Sequence, residues 1–265
     1  MMGVVPRPLW EKRHPPDAGH RIRLVSRFGV VEDPAAGRLW LLDCGFGRDW
    51  SPKLERIYAL QPRGADVRAL LRAAGLDPDA VTDVLLTHLH FDHVGGVVRR
   101  DERGVAALTF PGAIHHLQRS HWEWARAPSP KDAGSFRADH VAVLAGSPRL
   151  SLVDGPGPLG GAVAVRTVGG HTPGMQLPLV EAAGGGSLFL ADLVPVWSHV
   201  RLPWVMAYDN EPVRTIGEKR ALLAEAAERG WTLISEHDPD APRGRVVRVE
   251  GGAFAVESFA TGEDG

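Results

Sequence analysis

Four potential metal ligands crowd one short stretch of this 265-residue chain. In residues 87–96, THLHFDHVGG, the side chains of His88, His90, Asp92 and His93 fall within six positions. At the histidine and aspartate frequencies of this chain, H-x-H-x-D-H would arise by chance about 0.002 times. Imidazole and carboxylate together suit a borderline-soft cation such as Zn²⁺. In extended backbone, residues i and i+2 face the same way, so His88 and His90 can grip one ion. Asp92 and His93 continue past it and can grip a second. Gly95 and Gly96 are read as the place where the backbone turns sharply beside the site. A plain polar loop would instead need buried partners for three histidines and an aspartate at once.

Three further candidates stand farther along: His171 in VGGHTPGMQ, Asp192 in LFLADLVP and His237 in ISEHDP. An aspartate closing an apolar strand is costly to bury without a cation or hydrogen-bond donors. The elements that must position these groups follow from the hydrophobic pattern. Residues 38–43 read as a buried strand stopped by Gly45 and Gly47, and residues 84–87 as a strand running into His88. Residues 163–168 form a strand ending at Gly169-Gly170, just before His171. Residues 175–180 and 187–191 pair as a hairpin that leads to Asp192. Residues 231–235 run into Glu236 and His237. Strands that end at reactive side chains deliver them to one edge of a rigid scaffold.

Two helices are expected. Residues 65–74 put Val67, Leu70 and Leu71 on one face, with Gly75 as the stop. Residues 215–229 begin with Thr215 and Glu218 at capping-box spacing and end at Gly230. The glycine-rich stretches 155–161 and 184–186 read as turns rather than linkers. A single domain over residues 1–265 is therefore expected.

With Asp43 in LLDCG, the order and rough spacing of these motifs resemble the metallo-β-lactamase superfamily. The resemblance implies an α/β (α+β) fold, the four-layer αββα sandwich. It implies that His88, His90 and His171 bind one metal, that Asp92, His93 and His237 bind the other, and that Asp192 bridges them. Asp43 would support the site through hydrogen bonds. Zinc β-lactamases that destroy penicillins commonly carry Cys where Asp192 stands, and the only cysteine is Cys44. Glyoxalase II proteins add a C-terminal helical region, for which the 28 residues after His237 are too few. No basic insert of the ribonuclease Z kind and no flavin domain is visible. The gaps of 83, 21 and 45 residues between His88, His171, Asp192 and His237 look like the lactonase and organophosphate-hydrolase branch. Some homoserine-lactone lactonases place a Tyr three residues after the bridging Asp; here that position is Pro195.

These readings converge on a dinuclear metal-dependent hydrolase. It would act on a small neutral or weakly anionic ester, lactone or thioester through a metal-bridging hydroxide. Zinc is the default metal, and iron or manganese fits the same donors. Asp92 would briefly accept a proton. The alternatives are a non-hydrolytic iron-dependent oxidoreductase or dioxygenase on the same fold, and an inactive binding or regulatory member.

Composition narrows the setting. A net charge of −2 argues against a general nucleic-acid binder. No apolar run approaches the roughly 20 residues of a membrane span, and residues 1–16 lack a signal-peptide core. The single cysteine excludes an internal disulfide framework, so a cytoplasmic protein is expected. The expected partner is a small-molecule substrate, with neither nucleic acid nor membrane and with a homodimer allowed.

Secondary candidates carry less. His14, His20 and His140 are expected at the surface. His115, His116 and His121 flank Trp122 and Trp124 in a stretch ending at Pro128, within residues 113–134, that reads first as an amphipathic helix packing tryptophans on the core, and second as a lid or substrate wall. His199 is a candidate for contact with substrate or a metal-bound water, from a loop roofing the cleft. Tyr208 is a weaker candidate of the same kind. Val196, Trp197, Leu202, Trp204 and Met206 suit either a pocket rim or a dimer face.

Overall fold

The computed structural model describes residues 1–61, 66–182 and 185–259. It divides into two compact units: Ser26–Gly155, and Met1–Val25 together with the chain from Pro156 onward. Ala65 and Gly184, at the expected start of a helix and of a turn, lie outside the described residues.

In Ser26–Gly155, the main sheet is formed by β1 (Gly29–Asp33), β2 (Arg38–Leu42), β3 (Asp83–Leu85), β6 (Ile114–Gln118) and β7 (Leu150–Val153), in that order. β1 and β2 are antiparallel; β2, β3, β6 and β7 run parallel. A separate ribbon pairs β4 (Val98–Arg100) with β5 (Ala106–Leu108). Period-2 alternation sorts the sheet residues. Leu41, Val84 and Leu117 join Val67, Leu71, Trp122, Ala125 and Leu144 in one apolar core. These last five come from the helices Val67–Ala73, Arg119–Arg126 and Ala138–Ala145. The first of these helices is capped by Asp66, whose side chain accepts from the Ala69 amide.

The other unit carries a seven-stranded sheet among the described residues. Its order is β14 (Phe254–Phe259), β13 (Arg243–Arg248), β12 (Thr232–Ile234), β11 (Gly185–Phe189), β10 (Met175–Ala182), β9 (Val163–Val168) and β8 (Gly157–Gly160). β10 and β11 form the expected hairpin, with Leu179 opposite Leu188. β11 and β12 are parallel, which places Phe189 beside Ile234 and brings the ends of both strands to one edge. The helix Pro212–Arg229 buries Leu222, Leu223 and Ala226 and stops at Gly230, whose φ of +63° suits glycine.

Three expectations change. The long helix begins at Pro212, not Thr215, and Glu218 does not close a capping box. Pro fits that position because its missing N–H is one the first helical turn cannot use. His14 and His140 are buried, whereas His20 is exposed. Val196, Trp204 and Met206 are buried, and Val196 and Trp204 pack with Met2, so they form core and not a rim. The helical reading of residues 113–134 holds in part: Arg119–Arg126 is a helix that buries His121 and Trp122, while His115 and His116 lie on β6. No helix among the described residues is long and apolar enough to cross a membrane.

Candidate metal centre

Each unit carries its own set of candidate ligands. In Ser26–Gly155, β3 runs through Leu86 and Thr87 directly into His88. Asp43, at φ +60° just past β2, grips the start of this loop. Its carboxylate accepts from the Thr87 amide at 2.7 Å and from the Thr87 hydroxyl at 2.6 Å. Because that hydroxyl donates to Asp43, its oxygen accepts from His88 Nδ1, 3.0 Å away. That leaves Nε2 as the His88 nitrogen that could bind a metal. Asp43 also accepts from His93 Nδ1 at 3.2 Å, which assigns His93 Nε2 the same role.

His90 is held the other way round. Its Nε2 donates to Asp132 at 2.9 Å, so Nδ1 is the atom it can give to a metal. The rings of His88 and His90 meet edge-on at 4.5 Å, and those of His88 and His93 lie 4.0 Å apart. Between the first two histidines, the Leu89 amide donates to Nε2 of buried His121 at 2.8 Å. The one-turn helix Phe91–Val94 then delivers Asp92 and His93. Asp92 is about one-third exposed, with its carboxylate 3.9 Å from His93 Nε2. Gly95 and Gly96 lie in the turn expected of them and also allow close approach. A Cβ at Gly95 would collide with the Phe46 carbonyl, and one at Gly96 with that of Cys44.

A cavity of about 520 Å³ in this unit is lined by Trp50, Tyr58, Phe91, Phe136, Arg100 and Arg137, among others. Phe91 sits inside the ligand motif, and the Phe136 ring packs edge-on against His90 at 4.9 Å. Asp49 pairs with Arg100 at 2.5 Å, and its backbone carbonyl accepts from Arg137 at 2.6 Å.

In the other unit, β9, β11 and β12 each end at a candidate ligand. After β9, the amides of Gly169 and Gly170 donate to the Glu218 carboxylate at 2.8 and 2.9 Å. Side chains at these glycines would strike Arg214 and Thr215 of the long helix. This clasp leads into His171, whose Nδ1 donates to Asp209 at 2.9 Å. Its Nε2 lies 3.1 Å from one oxygen of Asp192. His237 Nε2 lies 3.1 Å from the other. His237 Nδ1 donates to the Val25 carbonyl at 2.7 Å, and the Val25 amide returns a bond to the His237 carbonyl at 3.2 Å. Asp192 therefore stands between two imidazoles, which is what a bridging carboxylate requires. Burial opposes charging of His171, but Asp192 and Asp209 outweigh it and lift its pKa to about 9. The pocket is thus electrostatically suited to positive charge.

His199 lies in the turn Trp197–Val200 of this unit and is buried. Neither ring nitrogen has a well-formed hydrogen bond among the described residues. Burial first, then the Lys219 charge, pushes its pKa down to about 3, so it is neutral. Lys219 is itself fully buried and donates to the carbonyls of His199, Arg201 and Trp204 at 2.9, 3.2 and 2.5 Å. Burial lowers its pKa to about 8. Tyr208 is 56% exposed.

The donor set fits a metal site. Five buried histidines each have one ring nitrogen at an oxygen acceptor, which leaves the other as the nitrogen that could face a metal; at His171 an ion would have to displace the proton that faces Asp192. Asp132, Asp209, Glu218 and Lys219 carry no functional signal in the sequence, and His121 only the weaker one of a substrate wall. They are isolated in the chain, and only folding brings them to their partners.

Residues 24–237 match the Metallo-beta-lactamase superfamily profile. The chain belongs to that superfamily, and its mixed α/β architecture is the one expected. It is 32% identical over 194 residues to the N-acyl homoserine lactonase AttM of Azorhizobium caulinodans, a match covering 65% of this chain and 64% of that protein. The chain thus spans just under two thirds of that relative's length. A probable metal-dependent hydrolase from Staphylococcus aureus superposes with a TM-score of 0.84 at 24% identity, covering 98% of this chain and 92% of the other. The dizinc quorum-quenching lactonase AidC, solved with a product, superposes with a TM-score of 0.72 at 22% identity, covering 91% and 82%.

Proposed function

We propose that this chain is a metal-dependent hydrolase of small esters, lactones or thioesters, with lactones the first class to test. The observation that carries the reading is the uniform anchoring of five histidines, each with one nitrogen tied to an oxygen acceptor and the other turned into a donor. In this reading His88, His90 and His171 hold one divalent ion, Asp92, His93 and His237 hold a second, and Asp192 bridges them. The relative named as a lactonase supports the substrate class. Zinc is the first choice of metal, and iron and manganese suit the same donors. Bound there, two divalent ions supply Lewis acidity and bring the pKa of water toward neutrality.

The chain's own groups do the rest. Asp92 is exposed enough to accept a proton and pass it on. Neutral His199 is the proposed polarising group in place of the Tyr that Pro195 displaces. The aromatic wall of Phe91, Phe136, Trp50 and Tyr58 gives an apolar substituent of the substrate a surface to pack on. A cytoplasmic location and a homodimer belong to the same proposal, and cell fractionation and light scattering test them.

The test is turnover by purified protein on N-acyl homoserine lactones, aryl esters and a thioester. Activity should vanish on chelation and return with added zinc, manganese or iron. Metal-loaded protein that hydrolyses none of them would overturn the reading. Stoichiometric iron with oxygen consumption in place of hydrolysis would select the redox alternative.

A further inference from the structure

His90 differs from the other candidate histidines. His88, His93, His171 and His237 are each held at Nδ1 and can coordinate through Nε2. His90 is held at Nε2, and the group that holds it comes from the connection between the helices Arg119–Arg126 and Ala138–Ala145. Asp132 is 3% exposed. One of its oxygens takes the His90 Nε2 proton at 2.9 Å, and the other accepts from Trp124 Nε1 at 2.7 Å. The same connection adds a backbone bridge between His90 and Phe136 and the edge-on Phe136 ring. His90 is thus fixed in position by backbone, ring and carboxylate, and the carboxylate sets Nε2 as the nitrogen that carries the proton.

We propose that Asp132, oriented by Trp124, is a positioning residue that fixes His90 as an Nδ1 ligand. The argument rests on the dinuclear reading above and on the donor count at Asp132. Two N–H groups, one from His90 and one from Trp124, converge on its carboxylate, which has two acceptor oxygens to offer them. An amide in its place has one acceptor and one donor, so it cannot serve both. If its NH₂ faces His90, Nε2 must become an acceptor, the proton moves to Nδ1, and His90 can no longer coordinate. If its oxygen faces His90, its NH₂ opposes the Trp124 N–H. Removing that N–H should therefore repair the defect. The connection that carries Asp132 also supplies Phe136 and Arg137 to the cavity wall. One segment thus shapes the substrate cavity and sets a ligand.

The experiment is a chelator-competition titration of zinc into the metal-free protein, with circular dichroism to confirm folding. Wild type should take up two ions. Asp132→Asn should weaken one of them by about 10- to 100-fold, the scale for losing a carboxylate behind a ligating histidine. Trp124→Phe alone should change affinity by less than about 3-fold, and adding it to Asp132→Asn should recover most of the loss. A merely structural role for Asp132 gives the opposite pattern, with the double variant at least as weak as the single. Wild type taking up two ions with Asp132→Asn unchanged, or with no recovery in the double variant, overturns this inference alone. Wild type taking up fewer than two ions overturns the dinuclear reading and this inference with it.

Discussion

Ser26–Gly155 supplies four candidate ligands from six consecutive residues at the end of one strand. The other unit supplies three, spread from His171 to His237 over the ends of β9, β11 and β12. The difference shows in what holds them. The contiguous loop is gripped one side chain at a time by partners from elsewhere in the same unit: Asp43 on Thr87 and His93, His121 on Leu89, and Asp132 on His90. The dispersed set depends on the parallel pairing of β11 with β12 and on a long helix, whose Glu218 clasps the turn before His171. A compact motif can be stabilised by neighbours in space, whereas a dispersed one needs the whole sheet edge in register.

The largest effect expected is at the residue on which the dispersed set converges. Asp192→Ala removes the carboxylate shared by His171 and His237. It should lose at least one ion and lower hydrolysis by on the order of 1000-fold or more. Metal analysis and kinetics check this; a variant with both ions and full activity would break the bridging assignment. Next come the two clasps, taken as a pair. Asp43→Ala and Glu218→Ala should each weaken metal binding by about 10- to 100-fold. Both should also destabilise the metal-free protein, by about 1–3 kcal/mol, because one strands the Thr87 amide and hydroxyl and the other two glycine amides. Urea unfolding of both variants tests whether the dispersed set is the more dependent on long-range structure.

A smaller, pH-dependent effect is expected at two histidines outside the candidate ligands. His115 and His140 have their pKa pushed down to about 4, chiefly by burial. Their folded pKa lies below the unfolded value, so the unfolded chain binds more protons at mildly acid pH. Each therefore contributes stability that is present above about pH 6.5 and lost as pH falls through about 4. The loss should approach about 2–3 kcal/mol per group. His140→Gln should flatten the stability profile over that window, and an unchanged profile would refute the attribution. The smallest effect on activity is expected at His199. His199→Ala should leave metal content intact and lower kcat/KM by about 10-fold, the low end for one polarising group. Unchanged kcat/KM would make His199 a packing residue, and lost metal would mean that the turn at Trp197–Val200 enters the ligand set.

The proposed ligands draw on two signals in the sequence: the H-x-H-x-D-H cluster with its strand-end companions, and the family resemblance that joins them into one set of seven. The strands that deliver them were legible as apolar runs. The partners that set their tautomers were not. Asp132 and Asp209 are single aspartates in polar stretches, and nothing local tells them from solvated ones. Glu218 was misleading: its spacing from Thr215 matches a capping box, but the helix starts earlier and the carboxylate turns to Gly169 and Gly170. His14 and His140 were misplaced because burial of a lone histidine is decided by tertiary packing, which composition and periodicity do not carry.

The most direct test of the proposed dinuclear reading is a crystal structure of zinc-loaded protein phased at the zinc edge. Two anomalous peaks are predicted. One should be ringed by His88, His90 and His171, the other by Asp92, His93 and His237, with Asp192 touching both. A single peak, or ions held by the residues of one unit alone, would contradict the account.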